Sequence, residues 1–184
     1  MKYRQTWPIM GLWLFLLLSL PLGSKLTAAP APSAKQFMKG GTFCFSLTQP
    51  ALPQWHETLK LVVQPTVKGR SQQLPLITAL QRGVLSQATP AFQYISPLTG
   101  TASYDSTGSS LLISLTSNQP GVDLEGKHPG IWIGHIALTL SAQGLSGQAI
   151  GSKLFKPVYD GKVHGDTFED AVDGQLKPIA CAEF

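Results

Sequence analysis

The feature of this chain that most constrains its fold is a series of short segments in which apolar residues recur at every second position. In the clearest segment, residues 131–140, Trp132, Ile136 and Leu138 share one face while His135 lies on the other. Successive side chains of a β-strand point to opposite faces of the sheet, so these segments predict strands that are buried on one face. Charged residues make up only 13% of the chain. This disfavours long amphipathic helices, because such helices carry many charges on their exposed face.

Turn-forming residues separate the alternating segments. Residues 105–108 and the pair Asp160-Gly161 each stand between two segments, and Asp173-Gly174 precedes a last segment over residues 175–182. The segment 74–84 is typical of either a strand with an edge proline or a short helix. The pattern predicts an all-β domain, which is a single antiparallel up-and-down β-barrel of about eight strands or, as the alternative, a β-sandwich.

The first 31 residues have the organisation of a secretory signal peptide and its cleavage region. Lys2 and Arg4 precede an apolar run over residues 9–22, and small residues follow at 27–31. A retained membrane anchor is the alternative, but the apolar run is shorter than the ~20 residues that a spanning helix needs. We therefore predict cleavage and export to a periplasmic, lumenal or extracellular space. The expected mature chain has a flexible N-terminus at 32–40, a barrel domain at 41–184 and no stable membrane span.

The two cysteines of the chain, Cys44 and Cys181, stand near opposite ends of this expected mature protein. Oxidising compartments preserve disulfides, so in an exported protein the two are predicted to pair; two buried thiols are the alternative. The first and last strands of an up-and-down barrel pair with each other, which leaves no open edge. We place Cys44 in the first strand and Cys181 in the last, so the disulfide would lie across the seam where the barrel closes.

Charge and motifs argue against several classes of function. Cleavage of the first 31 residues would remove Lys2, Arg4 and Lys25, which leaves 11 of the 14 Lys and Arg residues. Against the 10 Asp and Glu residues, the formal charge falls from +4 to +1. The sequence has no basic stripe with interleaved aromatic residues, so we predict that the protein does not bind nucleic acid. The sequence contains no phosphate-binding glycine loop, and Gln148 stands where a Gly-x-Ser-x-Gly motif over 144–148 would need glycine.

The spacing of histidines and carboxylates predicts neither a metal nor a cofactor. His128 and His135 are too far apart for a compact zinc signature, and the acidic stretch 160–173 lacks the spacing of a calcium loop, which makes it typical of solvated loops. A hydrolase or metal-dependent enzyme is the less favoured hypothesis. It requires His56, His135 or His164 to converge with carboxylates or a serine. We expect a non-catalytic protein.

Three features of the chain resemble the calycins, the superfamily that includes lipocalins and avidins. They are the early Gly41-Thr42-Phe43, the stretch 96–101 and the meander of short strands. Lipocalins typically open with Gly-x-Trp, and Phe43 stands where that tryptophan would be. The polar biotin-binding set of avidins has no counterpart in this sequence. The resemblance implies an end-open barrel that holds a small apolar molecule.

Four residues are candidate contacts for such a ligand: His135, Trp132, Trp55 and Tyr104. A neutral imidazole facing the interior would orient the ligand, and an aromatic side chain in a barrel mouth would cover it. The alternatives are a histidine that is satisfied in the core or faces outward, and ordinary aromatic packing. The leading hypothesis is a barrel that binds a small apolar ligand. The alternative is a protein-interaction or structural module of the cell envelope, which would show an exposed apolar patch.

Overall fold

The computed structural model describes residues 32–65, 74–85, 92–122, 129–164 and 168–184. The residues described form nine strands, one α-helical turn and one short 3-10 helix. In chain order these are α1 (Ala34–Phe37), β1 (Gly41–Thr48), β2 (Trp55–Val63), β3 (Leu76–Leu85), β4 (Phe92–Tyr104), β5 (Ser110–Val122), β6 (Pro129–Ser141), β7 (Gly147–Tyr159), β8 (Lys162–Val163), β9 (Phe168–Ile179) and the 3-10 helix Cys181–Glu183. Within these ranges, no helix is long and apolar enough to cross a membrane.

The sheet closes on itself. Strands β1 to β7 pair in sequence order, each antiparallel to the next, β7 then pairs with β9, and β9 pairs with β1. The two-residue β8 is a side arm that pairs only with the end of β7 among the described strands. The predicted all-β, up-and-down barrel of eight strands is therefore confirmed, and the sandwich alternative is wrong, because two separate sheets would each leave open edges.

Alternation along the strands divides inside from outside as the sequence predicts. The residues that face inward and are buried include Phe43, Phe45, Leu59, Leu61, Leu111, Ile113, Leu115, Ile136, Leu138 and Leu140. Each fully buried side chain of this size contributes about 1.5–3 kcal/mol relative to exposure, so these buried side chains are the main source of stability. Most of the ambiguous segment 74–84 lies in strand β3, which is paired along its length with both β2 and β4.

A short helical segment closes one end of the barrel. Ser33 caps α1 by accepting a hydrogen bond from the Gln36 N–H, and the Ala34 N–H donates to the Ala142 carbonyl at 3.0 Å. Phe37 is fully buried, with its ring centroid 4.7 Å from that of Phe43. We call this the plugged end. The stretch 32–40, for which the sequence predicts flexibility, is thus partly ordered, because Phe37 gains a place in the core.

The predicted disulfide is present beside the seam. Cys44 lies opposite Ile179 in the β1–β9 ladder, and its bond to Cys181 joins Cα atoms 5.1 Å apart. Cys181 itself follows the last strand in the 3-10 helix, so its placement inside that strand was wrong. The strand starts earlier than predicted because Asp173-Gly174 is not a turn, and it ends at Ile179, before the 3-10 helix begins. Gly174 pairs with Ala149, and a Cβ there would lie only 2.6 Å from the Thr48 carbonyl oxygen.

The disulfide predicts a measurable contribution to stability. We expect the double variant Cys44→Ser/Cys181→Ser to lose about 2–5 kcal/mol of unfolding free energy, because the bond restricts the unfolded chain over a long loop. Chemical denaturation followed by circular dichroism measures this loss. The reduced and alkylated wild-type protein is the control and should behave like the double variant. Unchanged stability in both would show that the β1–β9 ladder holds the seam by itself.

Candidate functional site

The interior changes character from one end of the barrel to the other. Opposite the plugged end lie four aromatic residues, Trp55, Tyr94, Trp132 and Phe155, of which all but Trp55 are buried. They come from the starts of β2, β4 and β6 and from the end of β7, which meet at one end because neighbouring strands are antiparallel. We call this the aromatic end. It also contains the buried polar residues Glu57, Gln81, Ser96, Ser117 and Lys153.

A hydrogen-bond network surrounds Glu57, a carboxylate with only 3% of its surface exposed. One carboxylate oxygen accepts from the Tyr94 hydroxyl and, at 3.4 Å, from Gln81 Nε2; the other accepts from Gln49 Nε2 at 2.6 Å. Gln81 Nε2 also donates to the Tyr94 hydroxyl at 2.9 Å. Gln49 is anchored in turn, because its Oε1 accepts the Asp173 N–H at 3.2 Å. These donors offset part of the cost of removing a carboxylate from water.

Lys153 brings a positive charge into the same end. It lies on the inner face of β7 with Ala149 and Phe155, and its side chain is fully buried. Its ammonium nitrogen lies 4.7 Å from the centroid of the Trp132 ring and 4.9 Å from that of Tyr94. An ammonium over an aromatic face is attracted by the negative face of the ring, and more strongly when water is excluded. The aromatic end therefore combines one buried cation, one buried carboxylate and a polarisable aromatic wall.

The aromatic rings form a continuous row against the barrel wall. Centroid separations are 6.1 Å from Trp55 to Tyr94, 5.5 Å from Tyr94 to Trp132 and 5.2 Å from Trp132 to Phe155. Three rings pack directly against glycines of the barrel wall: Tyr94 against Gly83, Trp132 against Gly121 and Phe155 against Gly130. A Cβ atom at any of these glycines would overlap the ring. Half-buried Trp55 ends the row, so it is the ring through which the cluster meets solvent.

The structure brings together two of the four candidate residues from the sequence. Trp132 and Trp55 both belong to the aromatic row. Tyr104 lies at the plugged end, because it ends β4 whereas Tyr94 is near its start, and it is 40% exposed. His135 is exposed on the outer wall, where its Nε2 lies 3.0 Å from Ser114 Oγ. The interior position on which its predicted role depended is therefore not observed.

The residues needed for an enzymatic or metal site do not converge in the described ranges. His56 and His135 are exposed on strands β2 and β6, which lie on opposite sides of the barrel, and His164 stacks on Tyr159 beside β8. Among the described residues, no group of three or more His, Cys, Asp or Glu side chains is placed to hold a metal ion. His128 and residues 165–167 of the acidic stretch, which also bear on the metal hypothesis, lie outside the described residues.

Sequence reasoning missed Glu57, Gln81, Tyr94 and Lys153. The alternation pattern did contain a signal for two of them. Glu57 lies two residues before Leu59 on the inner face of β2, and Lys153 lies two before Phe155 on the inner face of β7. A charged residue in register with a buried face is unusual and marks a candidate site. Gln81 and Tyr94 lay in segments whose strand register the sequence left open.

A groove lies at the seam, near the plugged end. This groove of about 800 Å³ is bordered by Pro32, Gln36, Pro178 and the Cys44–Cys181 disulfide.

No protein-family model, curated protein or solved structure matches this chain. The closed antiparallel barrel of eight strands is consistent with the calycin resemblance at the level of strand number and order.

The packing of Tyr94 on Gly83 predicts a sensitive position. We expect Gly83→Ala to lower the unfolding free energy by about 1–3 kcal/mol, because the new methyl group displaces the Tyr94 ring and with it the hydroxyl that bonds Glu57. Denaturant unfolding measures this loss. In a Tyr94→Leu background the same change should cost less, as a double-mutant cycle would show. Equal cost in both backgrounds would contradict the assigned contact.

Proposed function

We propose that this chain is an exported, non-catalytic barrel that binds a small, largely apolar molecule at its aromatic end. The observation that carries the proposal is the row of four aromatic rings that leads from half-buried Trp55 to a buried polar network. Ligand sites in proteins are mostly apolar surfaces with a few placed polar groups, and barrel mouths are common positions for them. The aromatic end has both components.

The contrast between the two ends supports this choice of site. The plugged end is covered by α1, whose Phe37 packs among apolar side chains. At the aromatic end, Glu57 and Lys153 are buried although charged groups are costly to remove from water. A core that served stability alone would be at least as stable with apolar residues of similar volume there. Their presence is typical of a site that recognises something.

Export rests on the first 31 residues and is supported by the disulfide. The apolar run 9–22 behind Lys2 and Arg4 is typical of a signal peptide, and the Cys44–Cys181 bond fits an oxidising compartment. A periplasmic, lumenal or extracellular location is proposed, with no cofactor required.

A protein-interaction or structural role in the cell envelope is the alternative. The outer wall carries large apolar side chains that are exposed in the barrel, among them Leu76, Ile95, Ile133 and Ile150. They are distributed over strands β3, β4, β6 and β7, which favours this role less than one contiguous patch would.

Export predicts a shortened mature chain. Expression of the full sequence in a secreting host should yield a protein whose N-terminal residue lies between positions 29 and 32, as N-terminal sequencing and intact mass would show, because small residues occupy 27–31. Recovery of the uncleaved chain in the membrane fraction would support the retained-anchor alternative.

Ligand binding at the aromatic end predicts an effect of Trp55 on probe affinity. The neutral fluorophore N-phenyl-1-naphthylamine should bind the wild-type protein saturably at one site, and Trp55→Ala should weaken that binding by roughly tenfold through loss of aromatic contact. Fluorescence titration measures both affinities. Tyr104→Ala is the matched control, because it removes an aromatic side chain at the plugged end and should leave the affinity unchanged. A probe that does not bind, or that responds equally to both variants, would contradict the proposed site.

A further inference from the structure

Two adjacent polar side chains inside the barrel have hydrogen-bonding capacity that the protein does not use. Among the described residues, the buried oxygens Gln81 Oε1 and Ser96 Oγ have no hydrogen-bond partner. Both side chains are fully buried on the inner face of the barrel, Gln81 on β3 and Ser96 on β4. They are direct cross-strand partners, which places their Cβ atoms about 4.5–5.5 Å apart. The two polar side chains therefore extend from neighbouring positions into the same part of the interior.

The orientation of the Gln81 amide is determined by its neighbours. Its nitrogen donates to the Tyr94 hydroxyl at 2.9 Å and to Glu57 Oε1 at 3.4 Å. A flipped amide would place its oxygen against the Glu57 carboxylate, which in its ionised form only accepts hydrogen bonds. The amide oxygen consequently remains available as an acceptor at the end of a chain of bonds that runs from Gln49 through Glu57 and Tyr94.

A second buried serine nearby, Ser117, differs from Ser96 because its hydroxyl has a hydrogen-bond partner. Ser117, also buried, donates its hydroxyl to the Pro97 carbonyl at 2.8 Å and so has a partner within the barrel. Buried polar groups in folded proteins nearly always have partners, and leaving one unsatisfied is costly. A missing partner at two adjacent positions indicates a place where a further molecule binds.

We propose that Gln81 and Ser96 form the polar subsite of the barrel and bind the hydroxyl group of an apolar alcohol. This inference rests on the proposed function and specifies the ligand class for the same site. A hydroxyl group matches both oxygens with a single atom, because it donates to Gln81 Oε1 and accepts from the Ser96 hydroxyl. An ether or a carboxylate has no proton to donate and leaves Gln81 Oε1 unsatisfied. The apolar part of the alcohol then contacts the aromatic row.

Two isomeric probes test the subsite in the full oxidised protein. 1-Heptanol and 1-methoxyhexane have the same atoms, but only the alcohol donates a hydrogen bond. We expect 1-heptanol to bind roughly tenfold more tightly, as measured by displacement of N-phenyl-1-naphthylamine, because one buried hydrogen bond is gained. Ser96→Ala should remove most of this preference. Ser117→Ala is the matched control and should retain it. Ser96→Ala should also be as stable as wild type, because the hydroxyl it removes has no partner within the barrel.

The possible results separate the subsite from the proposed function. Equal displacement by the alcohol and the ether would overturn the subsite, leave the apolar site intact and indicate that the two oxygens hold water only. Tighter binding of heptanoate than of 1-heptanol would also overturn it and would assign recognition to the Lys153 ammonium. If N-phenyl-1-naphthylamine itself does not bind, the proposed function fails together with the subsite.

Discussion

The structure depends on the pairing of β1 with β9. Residues 44–48 of β1 lie opposite residues 175–179 of β9, and this ladder turns an open sheet into a closed barrel. Closure satisfies the backbone groups that edge strands would expose, and it separates an interior from a surface along every strand. The core, the network around Glu57 and the exposure of His135 all follow from this separation. The disulfide stabilises the same seam from the segment that follows β9.

The core of the closed barrel is covered by different kinds of residues at its two ends. At the plugged end, α1 places Phe37 over apolar side chains and the cost of burial is small. At the aromatic end, Glu57 and Lys153 are kept from water by hydrogen bonds and aromatic faces, which only partly offset their desolvation. Glycines at positions 83, 121 and 130 let the rings pack against the wall. The proposed ligand site lies where the protein retains polar groups at a cost in stability.

Features set by local interactions could be predicted from the sequence, whereas features set by distant contacts could not. Alternation correctly placed Trp132, Ile136 and Leu138 on one face, which is buried, since alternation reflects a local property of strands. The pair Asp173-Gly174 was misread as a turn because its glycine serves a close approach to β1, which no local pattern shows. His135 was assigned a conditional interior role although its own alternation with Trp132 and Ile136 places it outside. The network around Glu57 joins residues from β2, β3 and β4 and from the segment after β1, so its partners become visible only after pairing registers are known.

The sequence by itself determined the all-β class, the number of strands and the face on which most apolar residues lie, because period-two alternation and turn residues act over a few positions. It also indicated the disulfide partners, since only two cysteines are present. The tertiary structure alone decided which end of the barrel is plugged and which holds the polar residues. It also placed Gln81 beside Ser96, because register across strands depends on closure of the whole sheet. The candidate binding site therefore arises from distant segments that only the closed barrel brings together.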